Sequence, residues 1–207
     1  MRLLVLGATG PTGRLLVGQA LAAGHEVTAL VRNPARMPAA DPRLTVVQGD
    51  ATRVDDITAA ARGADAVLVT LGSGKSIHSD IASRSTAALV PALKAVGVSR
   101  VIVLSAYGVG NTADDAGLVM WLAYRVAMRS LFADKATADA ALRASGLEWT
   151  LVYAVSLTNG PRTGSYGVHS RLKSHGMPRI SRADVAEFML AQVQDTTWLH
   201  RTAILGG

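Results

Sequence analysis

The stretch LLVLGATGPTGRLL, residues 3–16, decides the fold. Leu3 to Leu6 is a short apolar run ending in Gly7, and such a run bounded by a glycine turn predicts a strand buried on both faces. Pro11 opens a helical pattern through Ala23, since proline is tolerated in a first helical turn, and Gly24 closes it as a C-cap. Three glycines lie between strand and helix. Gly7 permits the tight turn, Gly10 lets the backbone approach a pyrophosphate, and Gly13 allows helix and strand to pack closely; the N–H groups opening the helix then face the anion. With a strand before it and a helix after it, this pattern predicts a dinucleotide site and not only a structural turn.

Outward from that stretch the same period recurs. Val27 to Val31 reads as the second strand and Leu44 to Val47 as the third, followed by Gly49-Asp50 and a helix that stops at Gly63. Asp65 to Leu71 makes a fourth strand, Ser79 to Val96 a helix ending at Gly97, and Arg100 to Ser105 a fifth strand. After the polar turn NTADDAG a long helical stretch is predicted from Leu118 to Ser145, then a sixth strand from Glu148 to Tyr153. Ser156 to Ile180, rich in Gly, Ser, Pro and Arg, predicts a long loop with a short hairpin at Gly164 to Val168. Ser181 caps a last helix with Asp184 in its first turn, running to Gln194, and Thr202 to Leu205 makes a terminal strand. Alternating strands and helices without a repeat or linker predict one α/β domain over residues 1–207, a Rossmann fold with a doubly wound, mostly parallel sheet.

Composition excludes several classes. With 49% hydrophobic and 17% charged residues among 207, the chain is too apolar to be disordered. It has no cysteine, which removes disulfides, thiolate metal sites and cysteine nucleophiles together and fits a reducing cytoplasm. The apolar run before Gly7 is too short for an export signal, and Arg125 and Arg129 interrupt the longest apolar stretch, so no membrane span is expected. Net charge is +6, but the arginines are scattered, apart from Arg162, Arg171, Lys173, Arg179 and Arg182. With only 4% aromatics for stacking, no nucleic-acid partner is expected.

The second strand ends in Val31-Arg32, where NAD-binding folds usually carry an acidic residue for the ribose hydroxyls and arginine accommodates a 2′-phosphate. Arg32 therefore predicts NADP(H). Arg36, one turn on, is positioned as the other half of a guanidinium clamp or as a solvated surface charge. The five histidines show no metal-ligand spacing, so no metal is expected. Ser73 to Ser76 (SGKS) lacks the earlier glycine of a phosphate loop, which excludes ATP binding of that kind.

GATGPTG after the first strand, VRNPAR after the second, QGDAT after the third, LSAYG after the fifth, LRASGLEWTLV into the sixth and the late ISRADVAEFML together resemble the atypical short-chain dehydrogenase/reductases of NmrA-like or biliverdin reductase B (flavin reductase) architecture. The resemblance covers essentially the whole chain. It implies that Gly7, Thr9, Gly10, Thr12 and Gly13 cradle the pyrophosphate and that Arg32 and Arg36 hold the 2′-phosphate. It further implies that Asp50 and Ala51 border adenine, that Thr70, Leu71 and Gly72 line the ribose, and that Ser105 lies near nicotinamide. Lys135 is expected to be a ribose or electrostatic contact.

Two departures bear on the chemistry. The main branch of the superfamily uses Tyr-xxx-Lys, the tyrosine donating a proton; if Lys135 is that lysine, Leu131 occupies the tyrosine position, and Tyr124 has Met128 four residues later. The relatives also often have Arg-Pro after the sixth strand, where this chain has Tyr153-Ala154. Ordinary ketone reduction is therefore disfavoured. Hydride transfer to a flavin, quinone or tetrapyrrole-like acceptor is expected, with Ser105 and Lys135 as the catalytic candidates and a small conjugated molecule as partner. The alternative is a non-catalytic NADP(H) sensor, and both a monomer and a homodimer remain open. Met120, Trp121, Tyr124, Met128 and Phe132 are expected to form a soft apolar cover over the nicotinamide end, or else core packing or a dimer contact.

Overall fold

Leu3, Leu4, Val5 and Leu6 are all buried, as a strand with neighbours on both edges and helices on both faces requires. The computed structural model describes residues 1–37, 41–72, 74, 79–113, 128–172 and 178–206. Strand β1 (Arg2–Leu6) lies between β2 (Glu26–Val31) and β4 (Ala66–Val69), and β3 (Leu44–Gln48) forms the edge beyond β2. On the other side follow β5 (Arg100–Ala106), β6 (Glu148–Ala154), β10 (Arg201–Leu205) and β8 (Val168–His169), giving the order β3-β2-β1-β4-β5-β6-β10-β8. Every pairing is parallel except that of β8 with β10. The order reverses between β1 and β4, and the crevice beyond the carboxyl ends of strands at such a reversal is where ligands bind in open α/β sheets.

Helix α1 (Pro11–Ala22) packs with α5 (Arg182–Ala191) on one face of this sheet. On the other face α2 (Val54–Ala61), α3 (Ile81–Val96) and α4 (Arg129–Arg143) pack side by side. This is the doubly wound Rossmann architecture expected from the alternating pattern. Arg100, buried at the start of β5, donates to the Gln192 carbonyl at the end of α5 and to the Glu148 carbonyl, fastening that helix end to the sheet. Among the described residues no helix is long and apolar enough to cross a membrane.

Local differences from the sequence expectation have physical causes. The segment from Ser156 to Ile180 is not a plain loop: β7 (Ser156–Thr158) pairs in parallel with β9 (Arg179–Ser181). No hairpin forms at Gly164 to Val168, because Val168 and His169 pair with Leu205 and Ile204 of β10 instead. Helix α3 starts at Ile81, two residues late, with Asp80 as its N-cap, and α5 stops at Ala191, short of Gln194. Of the long stretch from Leu118 to Ser145, α4 occupies Arg129–Arg143, while residues 114–127 lie outside the described residues. The apolar cover expected from Met120, Trp121 and Tyr124 therefore also lies outside them.

Candidate functional site

Because β1 to β6 are mutually parallel, their carboxyl ends meet at one edge of the sheet, and the glycine turn, Arg32, Asp50, Thr70 and Ser105 all leave or end strands at that edge. Gly7 has φ +87°, and a Cβ there would stand 2.7 Å from the Thr70 carbonyl carbon. A Cβ on Gly13 would run into the Gly7 carbonyl oxygen. Only glycine fits either position. Gly10, extended at the start of α1, donates its N–H to the Gly7 carbonyl at 2.9 Å. No acidic residue stands in the first turn of α1, so no carboxylate competes with an anion for the positive helix end. This cradle, which a Cβ would fill, fits the pyrophosphate of a dinucleotide. Thr9 is half-buried beside it and Thr12 is buried.

The sequence reasoning passed over Arg14. Its guanidinium donates to the Thr9 carbonyl at 3.2 Å and to the Arg36 carbonyl at 3.0 Å, tying the glycine turn to the segment after β2. Arg32 and Arg36 are both exposed. The Asp50 carboxylate accepts from the Thr52 N–H and hydroxyl, each at 2.9 Å. The Thr52 N–H, aided by that hydroxyl and the charges of Arg32 and Arg84, holds the Asp50 carboxyl below its ordinary value despite partial burial. Ala51 beside it is buried. Thr70 turns its hydroxyl inward to the Leu6 carbonyl at 3.2 Å, fastening β4 to β1, whereas Leu71 is half-buried and Gly72 exposed.

Ser105 and Lys135 come together, and with them a group that the sequence reasoning missed. The Ser105 hydroxyl, on a residue 6% exposed, donates to Asp139 Oδ2 at 2.9 Å. The Tyr153 hydroxyl donates to the same oxygen at 2.7 Å, and Arg143 Nη2 donates to that hydroxyl at 3.3 Å. Ser105, Lys135 and Asp139 line a cavity of about 20 Å³ with Ser85, Thr86 and Leu71. That is room for about one water. Burial pushes the Asp139 carboxyl above its ordinary value, against the hydrogen bonds from Tyr153 and Ser105 and the charges of Lys135 and Arg143. Burial likewise lowers Lys135, against the pull of Asp139 and Asp134. Asp134 itself accepts the Ala82 and Ser83 N–H groups at 3.0 Å each, holding the start of α3 to α4.

The ISRADVA motif acts on the neighbouring loop. Asp184 accepts the Thr163 and Gly164 N–H groups at 2.6 and 3.0 Å, the Thr163 hydroxyl at 3.0 Å and the Ser181 hydroxyl at 2.8 Å. Burial would raise its carboxyl, but the bonds from Gly164, Ser181 and Thr163 outweigh that and hold it low. Two arginines of the basic stretch serve the same loop, Arg162 facing Glu187 at 3.5 Å and Arg182 donating to Asn159. Asp184→Ala is expected to cost about 1–3 kcal/mol, since it frees the loop at Thr163 and Gly164 and leaves the buried Ser181 hydroxyl without its charged acceptor. With its pKa depressed in the folded state, the contribution is present at neutral pH and lost as pH falls through the range below about 4. Urea unfolding of wild type and variant at neutral and acid pH checks both statements; a constant difference would contradict the titration.

Among the described residues no histidine or acidic side chains gather into a metal-binding group. Ser73, Lys75 to His78, Lys173 and His175 lie outside them. The family model for NAD(P)H-binding proteins matches residues 7–196. A Bacillus subtilis protein described as an uncharacterized sugar epimerase is 29% identical, the match covering 94% of this chain and 89% of that one. Among solved structures, a wide-type short-chain dehydrogenase/reductase of Veillonella parvula in complex with NADP superposes with TM-score 0.84 at 21% identity, covering 100% of this chain and 94% of that one. An anaerobillin reductase of Escherichia coli O157:H7 superposes with TM-score 0.83 at 22% identity, covering 99% and 96%. At those identities the two structures speak to the fold.

Proposed function

The chain belongs to the NAD(P)H-binding family, and from that premise we propose that it is an NADPH-dependent reductase whose acceptor is a conjugated molecule: a flavin, a quinone or a linear tetrapyrrole. The observation that carries this reading is Leu131, which stands four residues before the half-buried Lys135 where a Tyr-xxx-Lys enzyme has its proton donor. General-acid catalysis contributes about 10²- to 10⁴-fold, so a simple ketone, whose charge develops on one oxygen, loses most without it. A conjugated acceptor spreads that charge and so depends on the proton less steeply, needing a weaker acid than the missing tyrosine. Support for the tetrapyrrole class comes from the similarly folded E. coli protein described as an anaerobillin reductase.

In this reading the glycine cradle holds the pyrophosphate by backbone N–H groups, and Arg32 and Arg36 take the 2′-phosphate by charge-assisted bonds. Asp50 and Ala51 border adenine, Thr70, Leu71 and Gly72 shape the ribose side, and Lys135 adds positive charge beside it. NADPH, when bound, supplies the hydride, and the protein's part is chiefly to orient donor against acceptor. Ser105 places a hydroxyl at the reacting end. The test is steady NADPH oxidation with riboflavin, FMN, a quinone and a simple ketone. Turnover with the conjugated acceptors and little with the ketone is expected, and a preference for the ketone would overturn the assignment. Leu131 also favours a second reading, a dinucleotide sensor without turnover, which predicts tight binding and no oxidation with any acceptor.

A further inference from the structure

We propose that Asp139 is the proton store of this site, passing a proton to the reduced acceptor through the Ser105 hydroxyl; this rests on the reductase reading above. The direction of the hydrogen bonds carries this assignment. Two hydroxyls converge on one carboxylate oxygen, Ser105 at 2.9 Å and Tyr153 at 2.7 Å from Asp139 Oδ2. They are not equivalent. Arg143 donates to the Tyr153 oxygen, so the tyrosine proton is committed to Asp139 and that bond keeps its sense. When Oδ2 carries a proton, the bond that reverses is the one to Ser105: Asp139 then donates to Ser105 Oγ, and the serine proton turns towards the ligand side of the β5 end.

The balance is simple. The acceptor gains a hydride and one proton, the O–H bond of Ser105 breaks as its proton leaves, and the Asp139 proton restores the serine hydroxyl. Asp139 ends as a carboxylate and takes its next proton from solvent, with NADP⁺ as the oxidised product. Lys135, beside the same cavity, favours the carboxylate so formed and helps expel the proton. The charged and titratable groups facing Asp139 are Lys135 and Arg143 on its own helix and Tyr153 on β6. From α3 and β4 the cavity receives Ala82, Ser85, Thr86 and Val69, with Leu71 just beyond β4, none of them charged. A carboxyl 2% exposed among these groups is one that burial favours in its protonated form.

Asp139→Asn keeps shape and acceptor oxygen but carries no transferable proton, and Ser105→Ala removes the link. Each is expected to slow single-turnover reduction of FMN by about 10- to 100-fold, the low end of general-acid effects, and the double variant to lose no more than the worse single one. In the wild type the rate should fall as pH rises through the raised pKa of Asp139, and this dependence should vanish in Asp139→Asn.

A readout without cofactor comes from unfolding of the protein alone. A raised folded pKa gives stability that is full below the unfolded value of 3.8 and lost as pH rises towards the folded one. Asp139→Asn should therefore be at least as stable as wild type at pH 7 and lack that part of the pH dependence. If Asp139→Asn turns over like wild type, or loses stability and NADPH affinity instead of rate, the relay is wrong while the reductase reading stands. A wild type that binds NADPH and reduces nothing overturns both.

Discussion

Gly13→Ala is expected to abolish NADPH binding and to lower Tm by roughly 8–16 °C. Its Cβ would run into the Gly7 carbonyl oxygen and stand 2.8 Å from both the Gly7 carbonyl carbon and Thr70 Oγ1. These are largely backbone atoms of a turn that is already fixed: Gly7 sits at φ +87°, and Gly10 N–H and Thr70 hold it to the ends of β1 and β4. Nothing there is the loose end of a side chain. Overpacking costs about 1–3 kcal/mol where neighbours yield, so about 4 kcal/mol is expected where they do not, and each kcal/mol moves Tm by about 2–4 °C in a chain of this size. Gly18→Ala is the control. That glycine lies in the same helix with nothing within 4 Å of an added Cβ, and its replacement should stabilise by about 0.5–1 kcal/mol. Thermal unfolding with and without NADPH separates the two variants. A Gly13→Ala protein that melts and binds like wild type would contradict the cradle.

Arg32→Glu is expected to weaken NADPH binding by tenfold to more than a hundredfold and to spare or improve NADH. A charge-assisted hydrogen bond is worth about 1.5–3 kcal/mol, each 1.4 kcal/mol is about tenfold, and glutamate adds repulsion towards a 2′-phosphate. The side chain is exposed, so salt should shrink the wild-type preference. Fluorescence titration of both cofactors at two ionic strengths measures this. Equal affinities in the wild type would remove Arg32 from the site.

The glycine cradle was legible in the sequence because its determinants are local: a strand, three glycines and a helix start lie within residues 3–16. Of the cluster around Asp139, only Ser105 and Lys135 were legible. Lys135, Asp139 and Arg143 recur every four residues on α4, the pattern of a solvated charged stripe. Docking against α3 and the sheet buries Asp139 and half-buries Lys135 while Arg143 stays exposed, and only there do Ser105 from β5 and Tyr153 from β6 meet Asp139. The tyrosine looked like a departure from Arg-Pro; in the fold it is a donor to a buried acid. Arg14 escaped notice because its acceptors are the carbonyls of Thr9 and Arg36, which no side-chain pattern advertises. The β7–β9 pairing joins three-residue strands more than twenty residues apart, beyond any local period.

The central claim is reduction of a conjugated acceptor by bound NADPH, and an anaerobic single-turnover experiment addresses it most directly. Protein loaded with stoichiometric NADPH is mixed with FMN, a quinone or a simple ketone, and the loss of nicotinamide absorbance is followed against a protein-free control. The account predicts decay faster than the control with FMN or the quinone and no acceleration with the ketone. Tight NADPH binding with no acceleration by any acceptor would contradict it and make the chain a sensor of the dinucleotide.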